Sequence, residues 1–292
     1  MRYSVGLPVD HVQYVEEFVT GEAVAEMAAA VEAAGLDAVF VTDHPAPDDR
    51  WLSGGGHHAQ EPLVALAFAA AATRRVMLHT HVYVAAYRNP FLAAKGVATL
   101  QTMSGGRVIL GVAAGYLKPE FAAMGVEFEA RNDLLDDTIS LMRRAWTETG
   151  VVVANDRLSA RAVTQLPQPA PVPIWIGGNS TRAMRRAVEI GDGWSPFPNP
   201  QAASRAVKTP AIADLDELAI RLAAARAYAE EIGRTAPLTV CFAPFHRLDD
   251  RGDDDHQPFG DLGIEWLAVQ FAGCSTRAEW LDRLRAFADR VA

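Results

Sequence analysis

Residues 171–194 read PVPIWIGGNSTRAMRRAVEIGDGW, and the reading of this stretch decides the fold. Ile174, Trp175 and Ile176 make an apolar run too short for a helix and fenced by prolines, which is the pattern of a buried strand. Gly177 and Gly178 follow, Asn179 and Ser180 are candidate helix caps, and a helical pattern continues through Ile190. Strand, glycine pair and capped helix together leave backbone N–H groups at the positive end of a helix. Such an end favours a phosphate, because orphan donors and summed peptide dipoles point at one spot. A plain strand-to-helix turn that needs glycine for its geometry is the other reading of the same residues.

The alternation extends outward on both sides. Upstream, strands are expected at Tyr3–Leu7, Asp37–Thr42, Val76–Val84 and Arg107–Ala113. Helices are expected at about Glu22–Ala34, Pro62–Ala72, from Asn89-Pro90 onward, and at Asn132–Trp146. Downstream, strands fall at Gly193–Pro196, Leu238–Phe242 and Ile264–Gln270, with helices at Asp214–Ile232 and Thr276–Val291. Val151–Thr164 reads as two short strands around Asn155-Asp156, a hairpin insertion at about residues 150–165. Arg247–Gly260 is acidic and glycine-bearing and reads as an irregular loop where a helix is due. Eight apolar strands alternating with helices in 292 residues predict one α/β domain over 1–292, a (β/α)8 TIM barrel with a small hairpin insertion. A doubly wound open sheet is the rival, since alternation does not by itself prove closure.

Half of the residues are hydrophobic and the net charge is −9, from 27 basic and 36 acidic residues. That balance argues against nucleic acid and anionic membrane as partners, and apolar runs such as Ala65–Ala72 are too short to span a bilayer. Cys241 and Cys274 match no metal or redox spacing and read as buried thiols in a reducing cytosol. The first residues enter a strand with no charged-then-apolar leader, so a cytoplasmic location is expected.

In a barrel, function sits at the C-terminal strand ends. Asp43-His44 stands at one such end: a carboxylate can bias the protonation of a neighbouring imidazole, and histidine suits proton transfer near neutral pH. A turn in which Asp43 merely caps backbone remains the alternative. His79-Thr80-His81 puts two imidazoles on one face of a strand, but no further ligand is evident at a later strand end. Strand packing or pocket lining is therefore the expectation, with no metal. Gly54–Gly56 follows no strand and reads as a flexible loop, with His57-His58 solvated or facing the substrate. Neither a GxGxxG fingerprint nor a P-loop occurs.

The order of motifs resembles the bacterial luciferase-like monooxygenase superfamily, and within it the oxidoreductases that use the deazaflavin coenzyme F420. The resemblance rests on Thr42-Asp43-His44, on Leu78–Val84 followed by Tyr87-Arg88-Asn89-Pro90, and on Gly106-Arg107 through Gly115-Tyr116 with Glu120-Phe121. It continues with Pro173–Gly178, Ser180 and Asp192-Gly193-Trp194. It implies a coenzyme across the barrel mouth, backed by a strand-three bulge whose cis peptide would be His81–Val82. The coenzyme's phosphate would lie on Gly177, Gly178, Asn179 and Ser180, and Gly115 and Tyr116 would border it. Tyr116 stands where some relatives carry a catalytic glutamate. His44 and Asp43 would be the catalytic pair, and Arg88 would serve an anionic tail or face solvent.

Trp51, Tyr83 and Trp194, with Phe245, would line a pocket for an apolar or aromatic small molecule. The implied activity is hydride transfer between F420 and such a substrate. An FMN-dependent monooxygenase and a non-catalytic coenzyme-binding barrel are the alternatives. The assembly state is left open, with a homodimer allowed.

Overall fold

In the computed structural model, residues 1–204, 209–245 and 256–292 are described. The chain begins with β1 (Arg2–Gly6), α1 (Gly21–Ala33), β2 (Ala38–Val41), α2 (Asp49–Ser53) and α3 (Pro62–Ala72). It continues with β3 (Met77–Val84), α4 (Pro90–Met103), β4 (Val108–Ala113), α5 (Lys118–Ala123) and α6 (Arg131–Thr147). After β5 (Val151–Ala154) and β6 (Ser159–Val163) come β7 (Ile174–Gly177), α7 (Thr181–Ile190), β8 (Gly193–Ser195) and α8 (Gln201–Ser204). The last elements are α9 (Leu215–Glu231), β9 (Thr239–Phe242), α10 (Gln257–Asp261), β10 (Trp266–Val269) and α11 (Arg277–Val291).

Among the described residues, eight strands close a barrel in the order β1-β10-β9-β8-β7-β4-β3-β2. β1 pairs in parallel with both β2 and β10, which rules out an open sheet. β5 and β6 form a separate antiparallel pair beyond α6. The helices start where short polar side chains can take up orphan amides. Asn89 accepts from the Phe91 and Leu92 N–H groups ahead of Pro90, Asp214 caps α9, and Thr276 with Glu279 closes a capping box on α11.

Period-two alternation divides the strand residues between two cores. Ala38, Phe40, Ile109, Trp175, Cys241, Trp266 and Ala268 fill the barrel interior. Val39, Val41, Leu78, Val108, Leu110, Ile174, Ile176 and Leu267 pack outward against the helices. Trp175 and Trp266 meet edge-on inside the barrel, 5.4 Å between ring centroids. The space they need is left by glycine: a Cβ on Gly193 would stand 2.5 Å from the Trp175 ring.

Some expectations are corrected by the structure. Gln257–Asp261, expected as loop, is a short helix, and His246 with the rest of the acidic stretch to residue 255 lies outside the described residues. The long loop after β2 contains α2, where Asp48 caps the Arg50 and Trp51 amides. The bulge expected in β3 is present, a register shift between Thr80 and Tyr83 against β4, and the His81–Val82 peptide is cis. No helix among the described residues is long and apolar enough to cross a membrane.

Candidate active site

β2 ends at Val41 and delivers Asp43 and His44 to the barrel mouth. The two side chains part company there. Asp43 is buried and accepts from both Arg88 guanidinium nitrogens, at 2.6 and 2.9 Å, and from the Val84 N–H at 2.8 Å. Arg88 also covers the Tyr83 ring, 3.9 Å from its centroid. The ion pair holds Arg88 above its ordinary range, against the effect of burial. Asp43 was expected to act on His44, and Arg88 was expected to face a ligand or solvent. Instead the two neutralise each other and tie the β2 end to the β3 end.

The carboxylate on His44 comes from α5. Both Glu120 oxygens lie 3.3 Å from His44 Nδ1, and Glu120 is buried. A carboxylate accepts, so Nδ1 carries the proton, and Nε2 is left as an acceptor for the Tyr116 hydroxyl 3.3 Å away. The result is a directed chain, Tyr116 O–H to His44 to Glu120. Lost hydration and the Glu120 charge push the Tyr116 phenol up to about 12, so it stays a donor at neutral pH. Trp51 packs on the imidazole with ring centroids 4.4 Å apart, and it can tuck in because Gly56 has no Cβ, which would stand 2.3 Å from the indole.

A cavity of about 310 Å³ leads away from this chain of groups. Its near end is lined by Thr42, Asp43, His44, His57 and Tyr116, and its floor by Val82, Val84, Ala113, Ala114 and Gly115. Its far end reaches Gly177, Gly178, Ser180, Arg131, Asn132 and Arg186. The Thr42 hydroxyl is buried and has no partner among the described residues. A second cavity of about 290 Å³ opens beside the first and shares Thr42, His57 and His81 with it. Phe40, Ala243, Pro244, Phe245, Ala268 and Asp10 are among its other walls.

At the far end Ser180 caps α7, accepting from the Ala183 N–H at 3.1 Å. The Gly178 N–H is spent on Ser195 O at 3.2 Å, so this glycine donates to the fold. No protein acceptor is found among the described residues for the amides of Asn179 through Arg182. Gly178 has φ of +118° and carries the chain around the turn, and a Cβ on Gly177 would meet Val82 at 2.8 Å. Arg186, buried, is bound by Asp136 and by Asn132 O, while Arg131 stacks on Phe128 at 3.9 Å.

Several expected site residues stand elsewhere. Asn179 turns its amide inward, donating to Phe197 O and Pro210 O and accepting from the Phe197 N–H, so its side chain is part of the scaffold. Trp194 lies between Gly193 and Ser195, whose positions face the barrel interior, so alternation sends it out among the helices. It is buried there and donates to Gly178 O at 3.0 Å. Tyr83 joins the same outer core beneath Arg88. Neither lines a cavity described here, Trp51 stands behind the cavity wall against His44, His57 and Tyr116, and Phe245 lines the second cavity. His57, expected to be solvated or to face the substrate, lines both cavities, whereas Glu120, Thr42, Arg131 and Arg186 were not singled out as site residues. Glu120 follows Tyr116 by four residues, but nothing in that spacing reveals its reach to His44, 76 residues away.

The luciferase-like monooxygenase family model matches residues 1–254. A protein named F420-dependent glucose-6-phosphate dehydrogenase from Amycolatopsis mediterranei (strain U-32) is 35% identical over 175 residues, covering 58% of this chain and 51% of that protein. One of the same name from Intrasporangium calvum is 34% identical over 170 residues, covering 56% and 50%. The chain thus matches about half the length of these curated relatives. Among solved structures, monooxygenase RslO1 from Streptomyces bottropensis superposes with a TM-score of 0.77 at 19% identity, covering 100% of this chain and 98% of that one. An F420-dependent secondary alcohol dehydrogenase in complex with an F420-acetone adduct gives 0.77 at 16% identity, covering 99% and 97%. At these identities the likeness is one of fold.

Proposed function

This chain belongs to the luciferase-like monooxygenase family, and from that premise we propose that it is an oxidoreductase dependent on coenzyme F420. The substrate class is a small, uncharged alcohol or carbonyl compound. The names of the curated relatives support the choice of deazaflavin over FMN. The observation that carries the reading is the two-ended cavity: a hydrogen-bonded Tyr116–His44–Glu120 chain at one end, and a capped helix N-terminus with two arginines at the other. A ligand with a reacting ring and an anionic tail fits that polarity.

The residues present fit such a coenzyme. The amides of Asn179 to Arg182 and the Ser180 region would receive its phosphate, with Arg131 nearby, while the Arg186 charge is taken up by Asp136. Val82, Ala113 and Gly115 offer an apolar wall, and the absence of side chains at Gly177 and Gly115 keeps it open; a Cβ on Gly115 would meet Val84 at 2.7 Å. When bound, the deazaflavin supplies a carbon that gives or takes a hydride. The chain's own part is the proton. His44 takes it from the Tyr116 hydroxyl side, Tyr116 exchanges it with the substrate oxygen, and Glu120 holds the imidazole in the tautomer that can accept. Trp51 shields the imidazole from water.

The second cavity, sharing Thr42 and His57 with the first, would take the substrate. Asp10 is its one charged residue among those described, so a neutral substrate suits it better than a phosphorylated one. Fluorescence quenching with F420 and with FMN, followed by turnover on alcohols, ketones and glucose 6-phosphate, tests this. F420 binding with turnover of neutral alcohols or ketones supports the proposal. Tight FMN with no F420 binding points to the monooxygenase, and coenzyme binding without turnover on any substrate points to a non-catalytic barrel.

A further inference from the structure

We infer that His79, His81 and Cys241 form a binding site for one zinc ion inside the barrel, joining β3 to β9. Around the ring of strands β3 and β9 are four steps apart in either direction, so they stand on opposite walls. Alternation turns His79 and His81 inward from β3 and Cys241 inward from β9, among Phe40, Trp175 and Trp266. One ligand atom from each of the three lies within 4.8 Å of the other two. Most interior positions of such a barrel carry apolar side chains, and here two imidazoles and a thiol converge instead.

The state of His79 points to a ligand. It is fully buried; its Nδ1 is 3.1 Å from Ser4 Oγ, and its Nε2 has no hydrogen-bond partner among the described residues. In the tautomer whose Nδ1–H donates to the serine hydroxyl, Nε2 presents a bare lone pair, which is how a second partner prepares a histidine for a metal. Gly111 leaves the space open, since a Cβ there would stand 3.2 Å from that nitrogen. His81 is held by Ser195 Oγ at 3.4 Å, from β8, the strand that pairs with β9.

Two imidazoles and a sulfur select zinc over magnesium or calcium. Ligand bonds of about 2.0–2.3 Å set donor separations of roughly 3.5 Å, so the cluster draws in by about 1 Å on the ion. The Cys241 S–H bond breaks, its proton leaves to solvent, and a zinc–sulfur bond forms. His81 lines both cavities, so the fourth coordination position faces the barrel mouth. Sequence spacing could not reveal the site, because the third ligand lies 160 residues beyond His81 and only closure of the barrel brings it across.

The test uses the full-length protein stripped by a chelator, without any deazaflavin, so its outcome is separate from that of the proposed activity. Titration with Co2+ is expected to give one tight equivalent with a thiolate-to-cobalt charge-transfer band. The band should be lost in Cys241→Ser and kept in Cys274→Ser, and Zn2+ should displace it. His79→Gln should weaken affinity at least a hundredfold. X-ray absorption on the zinc-loaded wild type needs no variant and should show two nitrogen ligands and one sulfur. Failure to retain an equivalent, a shell without sulfur, or a band that survives Cys241→Ser would overturn the inference.

Discussion

His44 and His79 are both buried, and both sit within one barrel, but they are wired differently. At the mouth, each ring nitrogen of His44 has a partner able to exchange or hold a proton: Glu120 on one side and Tyr116 on the other. One layer down, His79 has a serine on one nitrogen and no partner among the described residues on the other. The difference teaches that burial alone does not assign a histidine its role. A ring with a donor and an acceptor on opposite sides can pass a proton through; a buried ring with one bare lone pair suits an electrophile.

The largest effect that could break this contrast is at the mouth. His44→Ala should lower kcat by about 10²–10⁴, the usual worth of a positioned acid–base group, while coenzyme affinity is kept. Steady-state rates and a binding titration check both halves. Asp43→Asn should behave otherwise although it is the neighbouring residue. Its loss leaves the buried Arg88 with only the half-exposed Glu61, 3.6 Å away, as counter-charge and should cost about 3 kcal/mol in urea unfolding. A stable Asp43→Asn enzyme with a collapsed kcat would instead return Asp43 to the proton path.

Tyr116→Phe removes the hydroxyl that meets the substrate oxygen and should lower turnover by about 10²-fold or more, and the loss should appear in kcat more than in KM. Glu120→Gln should lower kcat by roughly 10- to 100-fold, because an amide can present an N–H to Nδ1 and favour the wrong tautomer. The smallest effect is on stability in alkali. Tyr116 has its folded value raised from 10.0 to about 12, so it favours the fold below pH 10 and that contribution is lost as pH rises toward 12. In that window the unfolded chain holds fewer protons, so stability must fall with pH. Because Tyr116 is partly exposed, the slope should stay below the about 1.4 kcal/mol per pH unit of a fully shielded group. Tyr116→Phe should flatten that limb of the pH–stability curve.

The contrast also marks how far the sequence could be read. Strands, helix starts and barrel class followed from local signals: proline-fenced apolar runs, Asn89-Pro90, Ser180 and Thr276. His44, Tyr116 and the far end of the cavity were legible because strand ends and a glycine-to-helix turn mark them. Pairings across space were not. Asp43 looked like the partner of His44 because it is adjacent, yet the backbone sends it to Arg88 and Val84, and Glu120 arrives from a separate helix. Trp194 looked like pocket wall because tryptophan is large and stands at a strand end, but the inward positions belong to Gly193 and Ser195. Cys241 looked solitary until barrel closure set it opposite His79 and His81.

The most direct test of the central claim is a single-turnover measurement. Reduced F420 is mixed with protein and a small ketone, and the absorbance of the oxidised coenzyme is followed for wild type and His44→Ala. The account predicts rapid oxidation by wild type and a rate slower by about a hundredfold or more in His44→Ala, with both proteins binding the coenzyme equally. Equal rates in the two proteins, or no binding of F420 by the wild type, would contradict it.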